Sequence, residues 1–263
     1  MEWTGMRIGE ALQYSADKWP ESDFVVGMGE RITYAEFNGR VDRLATGLMG
    51  LGIVRGDHVA CWLTNGPDWI MTWLACCRLG ATVVSINTRY KTQEVEFILR
   101  QSDAKLLVAM PSYWEIDYLS MISEMVPGYE TSTPGSLECD SLPELRGVLL
   151  WQDESHPGTI SLHTLQANDA DRAALDAAAA TLETEDPVVI IYTSGTTGVP
   201  KGAMHCHRVL LEGRDIAKAL HMEAGDNVLC HLPLYHVAGS VATVMPAMQH
   251  GATIVTMEQW EPR

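Results

Sequence analysis

Short apolar runs alternate with amphipathic segments along most of the chain. Two apolar runs flanking the turn at residues 27–30 predict a β-hairpin. Thr33 and Glu36 then have the spacing of a helix capping box, and apolar residues recur at steps of three and four between residues 37 and 51. This pattern predicts an amphipathic helix that ends near Gly50.

Helical and extended segments alternate regularly beyond this first helix. Strands are predicted at residues 58–63, 81–86, 105–109, 147–151 and 188–192, and helices from Pro67 onward and at residues 94–100, 113–125, 169–182 and 209–220. Continuous apolar strands separated by helices are typical of right-handed βαβ crossovers. The sequence therefore predicts the α/β class, with layered parallel sheets covered by helices on both faces.

Two stretches interrupt this alternation. Residues 126–146 are acidic and rich in Pro, Gly and Ser, which predicts a long surface excursion or a poorly ordered loop. Residues 183–187, Glu-Thr-Glu-Asp-Pro, indicate a junction. We therefore expect a first α/β subdomain over residues 1–186 and the start of a second over residues 187–263 that carries the loop described below.

The 263 residues carry 18 Lys and Arg against 34 Asp and Glu, a formal charge of −16, and 46% of them are hydrophobic. This composition is that of an ordinary globular protein. Its negative balance argues against nucleic acid or an anionic membrane as a partner. The charge is uneven, since residues 111–187 hold 15 acidic and 2 basic side chains. A polyanionic ligand bound elsewhere would escape most of this repulsion.

Cysteine usage and apolar runs favour a cytoplasmic protein. Six cysteines are present without a CxxC pair, which favours reduced thiols. The first residues lack the basic start and the apolar stretch of a signal peptide. The run that most resembles a membrane span, residues 69–86, is interrupted by Arg78 and Gly80. We therefore expect no integral membrane segment.

The stretch from Thr193 to Gly202, TSGTTGVPKG, directly follows an apolar strand. Its glycines let backbone N–H groups converge on an anion, its hydroxyls add donors, and Lys201 supplies a compact positive charge. This chemistry suits a polyphosphate. A Walker A loop is excluded, because Pro200 and Gly202 stand where that motif has Gly and Ser or Thr. The alternative is a polar surface turn between two strands.

The same loop resembles the signature loop of the AMP-forming adenylating enzymes, the superfamily of acyl-CoA synthetases, firefly luciferase and nonribosomal-peptide adenylation domains. Residues 232–239, LPLYHVAG, are similar to the family's Pro-Leu-aromatic-His segment, and residues 79–90 resemble an earlier segment of the family. Residues 87–99 look more like acyl-CoA synthetases than like peptide adenylation domains. The resemblance covers the whole chain, but only about the first half of a typical member.

The resemblance implies a ligase that acts in two steps. The enzyme first joins a carboxylic acid to ATP with release of pyrophosphate, and then passes the acyl group of the acyl-adenylate to the thiol of coenzyme A. ATP, Mg²⁺ and coenzyme A are the implied cofactors and co-substrates, and a fatty or aromatic acid is the favoured substrate. Because one anion attacks another, such chemistry needs charge neutralisation and alignment more than covalent catalysis.

Roles for individual residues follow from the same resemblance. His236 would be the catalytic residue beside the carboxylate and the α-phosphate, and Thr193 would lie near Mg²⁺. The alternative for a lone histidine is a core side chain or a helix cap. The residues implied to bind the phosphates of ATP are Thr193, Ser194, Gly195, Thr196, Thr197, Gly198 and Lys201.

A group of histidines and cysteines suggests a zinc site: His205, Cys206, His207, Cys230 and His231. Their spacing matches no familiar ligand pattern. We therefore expect no zinc there.

The later motifs of the family are absent from the 263 residues: the aromatic-Gly-x-Thr-Glu segment, the ribose-binding Asp, the hinge, and the small C-terminal lid domain with its catalytic Lys. We therefore expect an N-terminal fragment of an acyl-CoA synthetase that is inactive alone. The alternative is a non-catalytic nucleotide-binding or interaction module that keeps the scaffold. Unpaired strand edges and exposed apolar surface would favour a homo-oligomer.

Overall fold

The computed structural model describes residues 3–151, 156–166, 169–193 and 200–257, which form two large β-sheets and a short hairpin, flanked by helices. The α-helices are α1 (Ile8–Lys18), α2 (Tyr34–Gly50), α3 (Pro67–Leu79), α4 (Thr92–Gln101), α5 (Tyr118–Met125), α6 (Leu162–Gln166), α7 (Arg172–Ala179), α8 (Val209–Ala219) and α9 (Met245–His250). The strands are β1 (Asp23–Gly27), β2 (Glu30–Thr33), β3 (His58–Trp62), β4 (Thr82–Ser85), β5 (Leu106–Ala109), β6 (Ser112–Tyr113), β7 (Ile116–Asp117), β8 (Gly147–Leu150), β9 (Thr159–Ser161), β10 (Pro187–Thr193), β11 (Lys201–Cys206), β12 (Asn227–Cys230) and β13 (Thr253–Thr256).

The larger sheet has seven strands in the order β11-β10-β4-β3-β5-β8-β9. All of its neighbours pair in parallel except β10 and β11, which pair antiparallel. Every residue of β4, β5 and β8 is buried, as expected for parallel strands covered on both faces. The predicted fold class is therefore confirmed.

The smaller sheet pairs strands from the early part of the chain with strands from its late part. β1 and β2 form the predicted antiparallel hairpin, and β1 also pairs in parallel with β13, with Val25 opposite Ile254. β12 completes this sheet by pairing in parallel with β13. The division of the chain at residue 187 stays a prediction, and strand pairing crosses that point in both sheets.

The region between residues 113 and 125 differs from the helix that its pattern predicts. The hairpin of β6 and β7 comes first, and α5 begins only at Tyr118. Trp114 at the hairpin tip has a φ of 54°, a left-handed conformation that a helix does not accommodate. Asp117 then caps α5, because its carboxylate accepts a hydrogen bond from Ser120 N at 3.0 Å. The predicted start of the helix was therefore wrong.

The acidic segment 126–146 is irregular but held to the core. Val126, Tyr129 and Leu145 are buried, and Leu137 N donates a hydrogen bond to Arg146 O at 2.8 Å. Most of its other residues are exposed, so the segment is a surface excursion that a few apolar side chains fasten to the core.

Short elements escape prediction from the pattern. β9, α6 and β11 are three, five and six residues long, and β11 is largely exposed, so each lacks a clear periodicity. α7 covers only eight residues of the helix predicted at 169–182.

A buried ion pair joins α1, α2 and α3. The Arg78 guanidinium donates to Asp42 Oδ1 at 2.8 Å, to Gly9 O at 2.6 Å and to Asn38 Oδ1 at 2.6 Å. Arg172 of α7 also pairs with Asp42. The arginine that interrupts the apolar run 69–86 is therefore a packing element of the helical layer. None of the helices in the described ranges is long and apolar enough to cross the bilayer.

His207 ties the start of α8 to the start of α1. It is fully buried, and its Nδ1 accepts a hydrogen bond from Ile8 N at 3.0 Å. An accepting Nδ1 requires a neutral imidazole. Burial lowers the pKa of His207 to about 4, which keeps the ring neutral at physiological pH.

Acid is expected to weaken the fold through His207. The unfolded chain takes up a proton near the ordinary pKa of 6.5, whereas the folded chain does so only at about 4. Stability present above pH 6.5 is therefore lost as the pH falls toward 4, by about 2 kcal/mol between pH 8 and pH 5. Urea unfolding at both pH values measures this loss.

The matched variant for this test is His207→Gln, whose amide oxygen can still accept from Ile8 N. It should lack this share of the pH dependence. The same acid sensitivity in wild type and variant would contradict the assignment.

Candidate functional site

The parallel strands of the larger sheet end at a common edge. β3, β4, β5, β8 and β10 run in the same direction, so their carboxyl ends lie together. The chain passes from β3 to β4 on one side and from β5 to β8 on the other, so its progress across the sheet reverses between β3 and β5. In open α/β sheets, ligands bind in the crevice that such a reversal leaves at the carboxyl ends of the strands.

A cavity of about 530 Å³ lies at this crevice. Its walls are the segments that follow β3, β4 and β5 of the larger sheet and the segments that follow β12 and β13 of the smaller one. Its lining includes Thr64, Asn65, Arg89, Lys91, Trp114 and Tyr235. This volume is ordinary for a small-molecule site.

The segment after β4 presents the two cations of the cavity. Trp62 Nε1 donates to Asn87 O at 3.1 Å, and the Tyr118 hydroxyl donates to Thr88 O at 2.8 Å. Arg89 N donates to the Asn87 side chain at 2.9 Å, which closes a local turn. The backbone that carries the Arg89 guanidinium is therefore fixed from both sides.

The cavity wall combines positive charge with aromatic faces. Among the described lining residues, Arg89 and Lys91 are accompanied by one acidic residue, Glu115, and the Trp114 side chain is 66% exposed. Cations beside exposed rings suit an anionic ligand that carries a flat ring system. None of these four residues has a role predicted from the sequence, although Arg89 and Lys91 lie in the segment 87–99 that resembles acyl-CoA synthetases.

The predicted phosphate loop joins two antiparallel strands. The ladder of β10 and β11 runs to Thr193 and Lys201, whose Cα atoms are partners at its end. Both residues are exposed, and Lys201 forms no ion pair with the described residues. Because β10 neighbours β4, this end of the ladder shares the sheet edge of the cavity.

The tip of the loop is not part of the described structure. Ser194, Gly195, Thr196, Thr197 and Gly198 lie outside the described residues, and their role in phosphate binding stays a prediction.

Close packing across this hairpin requires a glycine at position 202. A Cβ on Gly202 would lie 2.7 Å from Ile190 Cγ2 and 3.3 Å from the Tyr192 ring. Tyr192 is the cross-strand partner of Gly202, so its ring covers the space that a side chain would need. The glycine therefore permits the pairing that brings Lys201 opposite Thr193.

His236 lies on a tight turn that follows β12. His236 N donates to Pro233 O at 3.1 Å, and His236 O accepts from the amides of Gly239 and Ser240, both at 3.0 Å. A π-helix, residues Ser240–Val244, begins directly afterwards. π-Helical turns are rare and often occur at functional sites.

The His236 imidazole is exposed, and its Nδ1 accepts from Ala238 N at 3.3 Å. The alternative of a buried core histidine therefore does not hold. Pro233 and Tyr235 line the cavity, whereas His236 is not among its described lining residues. The predicted residue is thus next in sequence to the lining residue Tyr235 and is not itself part of the described wall.

The side chains near the site can be compared with the ligands that zinc and Mg²⁺ require. In the described ranges, no group of three His, Cys, Asp or Glu residues is arranged to hold a metal ion. Burial raises the pKa of the Cys230 thiol to about 12, so it is a poor source of the thiolate that zinc prefers. Thr193 offers an exposed hydroxyl, and a Mg²⁺ ion there would take its other ligands from phosphate oxygens and water.

Comparison with known proteins relates this geometry to a family. A sequence profile for the family described as AMP-binding enzyme matches residues 12–263. The chain belongs to the AMP-binding enzyme family. The resemblance seen in its motifs is thereby confirmed.

The chain is similar to proteins about twice its length. It is 33% identical over 258 residues to Medium-chain acyl-CoA ligase ACSF2, mitochondrial, of Homo sapiens, a match that covers 94% of this chain and 42% of that protein. The chain thus spans less than half the length of the curated relatives it matches, in their N-terminal part. Since that relative is named as mitochondrial, the cytoplasmic location stays a prediction.

Solved structures agree on the fold. The inhibitor-bound N-terminal domain of FACL13 from Mycobacterium tuberculosis superimposes with a TM-score of 0.78 at 27% identity, over 97% of this chain and 58% of that one. The anthranilate CoA ligase AuaEII in complex with anthranoyl-AMP superimposes with a TM-score of 0.81 at 21% identity, over 97% and 46% of the two chains. Because AuaEII is only 21% identical to this chain, its likeness concerns the fold alone.

Gly239→Ala is expected to displace the turn that carries His236. A Cβ on Gly239 would lie 2.1 Å from Pro233 O. Relieving this overlap requires a backbone shift, at a cost of about 1–3 kcal/mol in unfolding free energy. Urea unfolding measures that cost.

Gly50→Ala is the matched control, because nothing lies within 4 Å of a Cβ at this helical position. It should stabilise the protein slightly, by about 0.5 kcal/mol. Equal effects of the two substitutions would contradict the close approach at Gly239.

Proposed function

We propose that this chain is the N-terminal part of an ATP-dependent ligase that joins a carboxylic acid to coenzyme A through an acyl-adenylate. The observation that most supports the proposal is the cavity at the carboxyl edges of both sheets. Arg89 and Lys91 lie on its wall, and the hairpin ending at Thr193 and Lys201 shares its edge. The position of Thr193 and Lys201 at this edge favours phosphate binding over a mere polar turn.

The proposed reaction has two steps. A carboxylate oxygen attacks the α-phosphorus of ATP, and the bond to pyrophosphate breaks. The thiol sulfur of coenzyme A then attacks the acyl carbonyl, its proton is released, and AMP leaves. Both steps bring anions together, so the protein must neutralise charge and align the reactants. Mg²⁺, when bound, would neutralise phosphate charge.

Lys201 and His236 are the proposed groups for the first step. The exposed Lys201 ammonium would stabilise the β- and γ-phosphates, with Thr193 and the loop tip as further donors. The exposed His236 imidazole would bind where the carboxylate meets the α-phosphate. Each group is available because no described side chain buries it.

The structure offers two cationic positions for two polyanionic substrates. Lys201 lies at the hairpin, and Arg89 with Lys91 lies on the cavity wall. We assign ATP to the hairpin and the diphosphate of coenzyme A to the cavity, where the Trp114 ring offers a face for the adenine.

A fatty or aromatic acid is the proposed acyl substrate. Residues 87–99 resemble acyl-CoA synthetases, and the human relative is named for medium-chain acyl-CoA. ATP–pyrophosphate exchange over a panel of such acids tests the ligase. Acid-dependent exchange supports an active ligase, whereas saturable ATP binding without exchange favours an inactive fragment or a binding module.

Lys201→Ala is expected to weaken ATP binding about tenfold, because it removes the fixed cation of the loop, worth about 1.4 kcal/mol. Isothermal titration calorimetry measures the change. Lys218→Ala removes an exposed lysine of α8 and is the matched control. Equal ATP affinity in wild type and Lys201→Ala would refute the role.

Arg89→Ala and Lys91→Ala are each expected to weaken coenzyme A binding about tenfold and to reduce its salt dependence, while ATP affinity stays unchanged. The control is Arg146→Ala, an exposed arginine directly before β8, at the amino edge of the sheet. Calorimetry at two ionic strengths measures both quantities. A loss of ATP affinity instead would reverse the assignment of the two positions.

A further inference from the structure

Asn65 connects the two sheets at the cavity. It follows β3, is only 8% exposed, and lies on the cavity wall. Its Nδ2 donates to Leu232 O at 2.9 Å and to Cys230 O at 3.4 Å, and its Oδ1 accepts from Leu234 N at 2.8 Å. All these partners belong to the end of β12 and the segment after it, more than 160 residues away in the chain.

The chemistry of this contact requires a primary amide. The segment after β12 presents two carbonyl oxygens and one N–H group to the same side chain. An amide has donors for the carbonyls and an acceptor for the N–H, whereas a carboxylate only accepts and an aliphatic side chain does neither. Because the site is buried, each unmatched group would cost free energy.

The contact acts directly on the turn that carries His236. Leu234 lies within this turn, which the bond from His236 N to Pro233 O closes. Gly239 packs against Pro233 O on the other side, so the turn has little freedom. A displacement of Leu234 would therefore move both Tyr235 and His236.

We propose that Asn65 is a positioning residue that fixes the place of Tyr235 on the cavity wall and of His236 beside it in the same turn. The catalytic meaning of this position rests on the proposed function, but the positioning itself does not. Asn65 fixes the amide and carbonyl groups of the segment after β12 by hydrogen bonds. Because Leu234 and His236 belong to the same tight turn, fixing Leu234 also fixes the position of the His236 imidazole.

The experiment observes His236 and its neighbours by NMR in the substrate-free 263-residue chain uniformly labelled with ¹⁵N. Asn65→Ala should shift the His236 ring signals and increase hydrogen exchange at the Leu234 and His236 amides at least tenfold. Asn38→Ala is the matched control, because Asn38 is a buried asparagine that bonds Arg78 and Gln13. It should lower stability and leave the His236 signals unchanged.

Asn65→Asp gives a pH signature that general destabilisation would not produce. Above the pKa of the introduced carboxyl, its charge opposes two carbonyl oxygens, and His236 should be displaced. Burial and these oxygens raise that pKa. On acidification the neutral carboxylic acid regains a donor and an acceptor, so the signals should return toward those of the wild type at the same pH.

Two results would overturn the proposal. One is His236 signals in Asn65→Ala that match the wild type, and the other is a displacement in Asn65→Asp that does not reverse with acid. If Asn65→Ala does not fold, the acid reversal in Asn65→Asp decides alone. Absence of both ATP binding and pyrophosphate exchange would count against the proposed function without touching either outcome, since no substrate is present in the NMR samples.

Discussion

Parallel strand pairing is the constraint on which the rest of this structure depends. A parallel neighbour can be reached only by a crossover that returns the chain to its starting end, so the polar segments between elements collect at the carboxyl edge. Asn65, Arg89 and Trp114 follow three different strands and reach one cavity for this reason. The smaller sheet obeys the same rule, and its carboxyl ends close the cavity from the other side.

Local charge, rather than net charge, governs the proposed binding of polyanions. The chain carries −16 overall, yet the described part of the cavity wall holds Arg89 and Lys91 against one carboxylate. That carboxylate, Glu115, belongs to the acidic stretch 111–187. The expectation that a polyanionic ligand would bind away from this stretch therefore holds only in part. Within a Debye length of about 8 Å, the neighbouring guanidinium and ammonium groups outweigh distant acids.

The glycines of the family motifs have packing reasons in this chain. Neither Gly202 nor Gly239 needs a left-handed φ, since neither is among the described residues with positive φ. Gly202 makes room for Tyr192 across the ladder, and Gly239 makes room for the Pro233 carbonyl. Gly202 therefore makes room for side chains and Gly239 for a backbone carbonyl, each beside a residue with a proposed chemical role.

Local patterns were enough to predict the parallel α/β class, the first hairpin, the helix after Thr33 and the motifs of the family, because each depends on neighbours in the chain. The same patterns missed β11, the hairpin at Trp114 and the pairing of β1 with β13. They also missed the contact between Asn65 and Leu234. β11 and the hairpin at Trp114 are local, but they are too short or too exposed to carry a periodic pattern. The pairing of β1 with β13 and the contact of Asn65 join groups that folding brings together across more than 160 residues, and such contacts leave no periodic trace in the sequence.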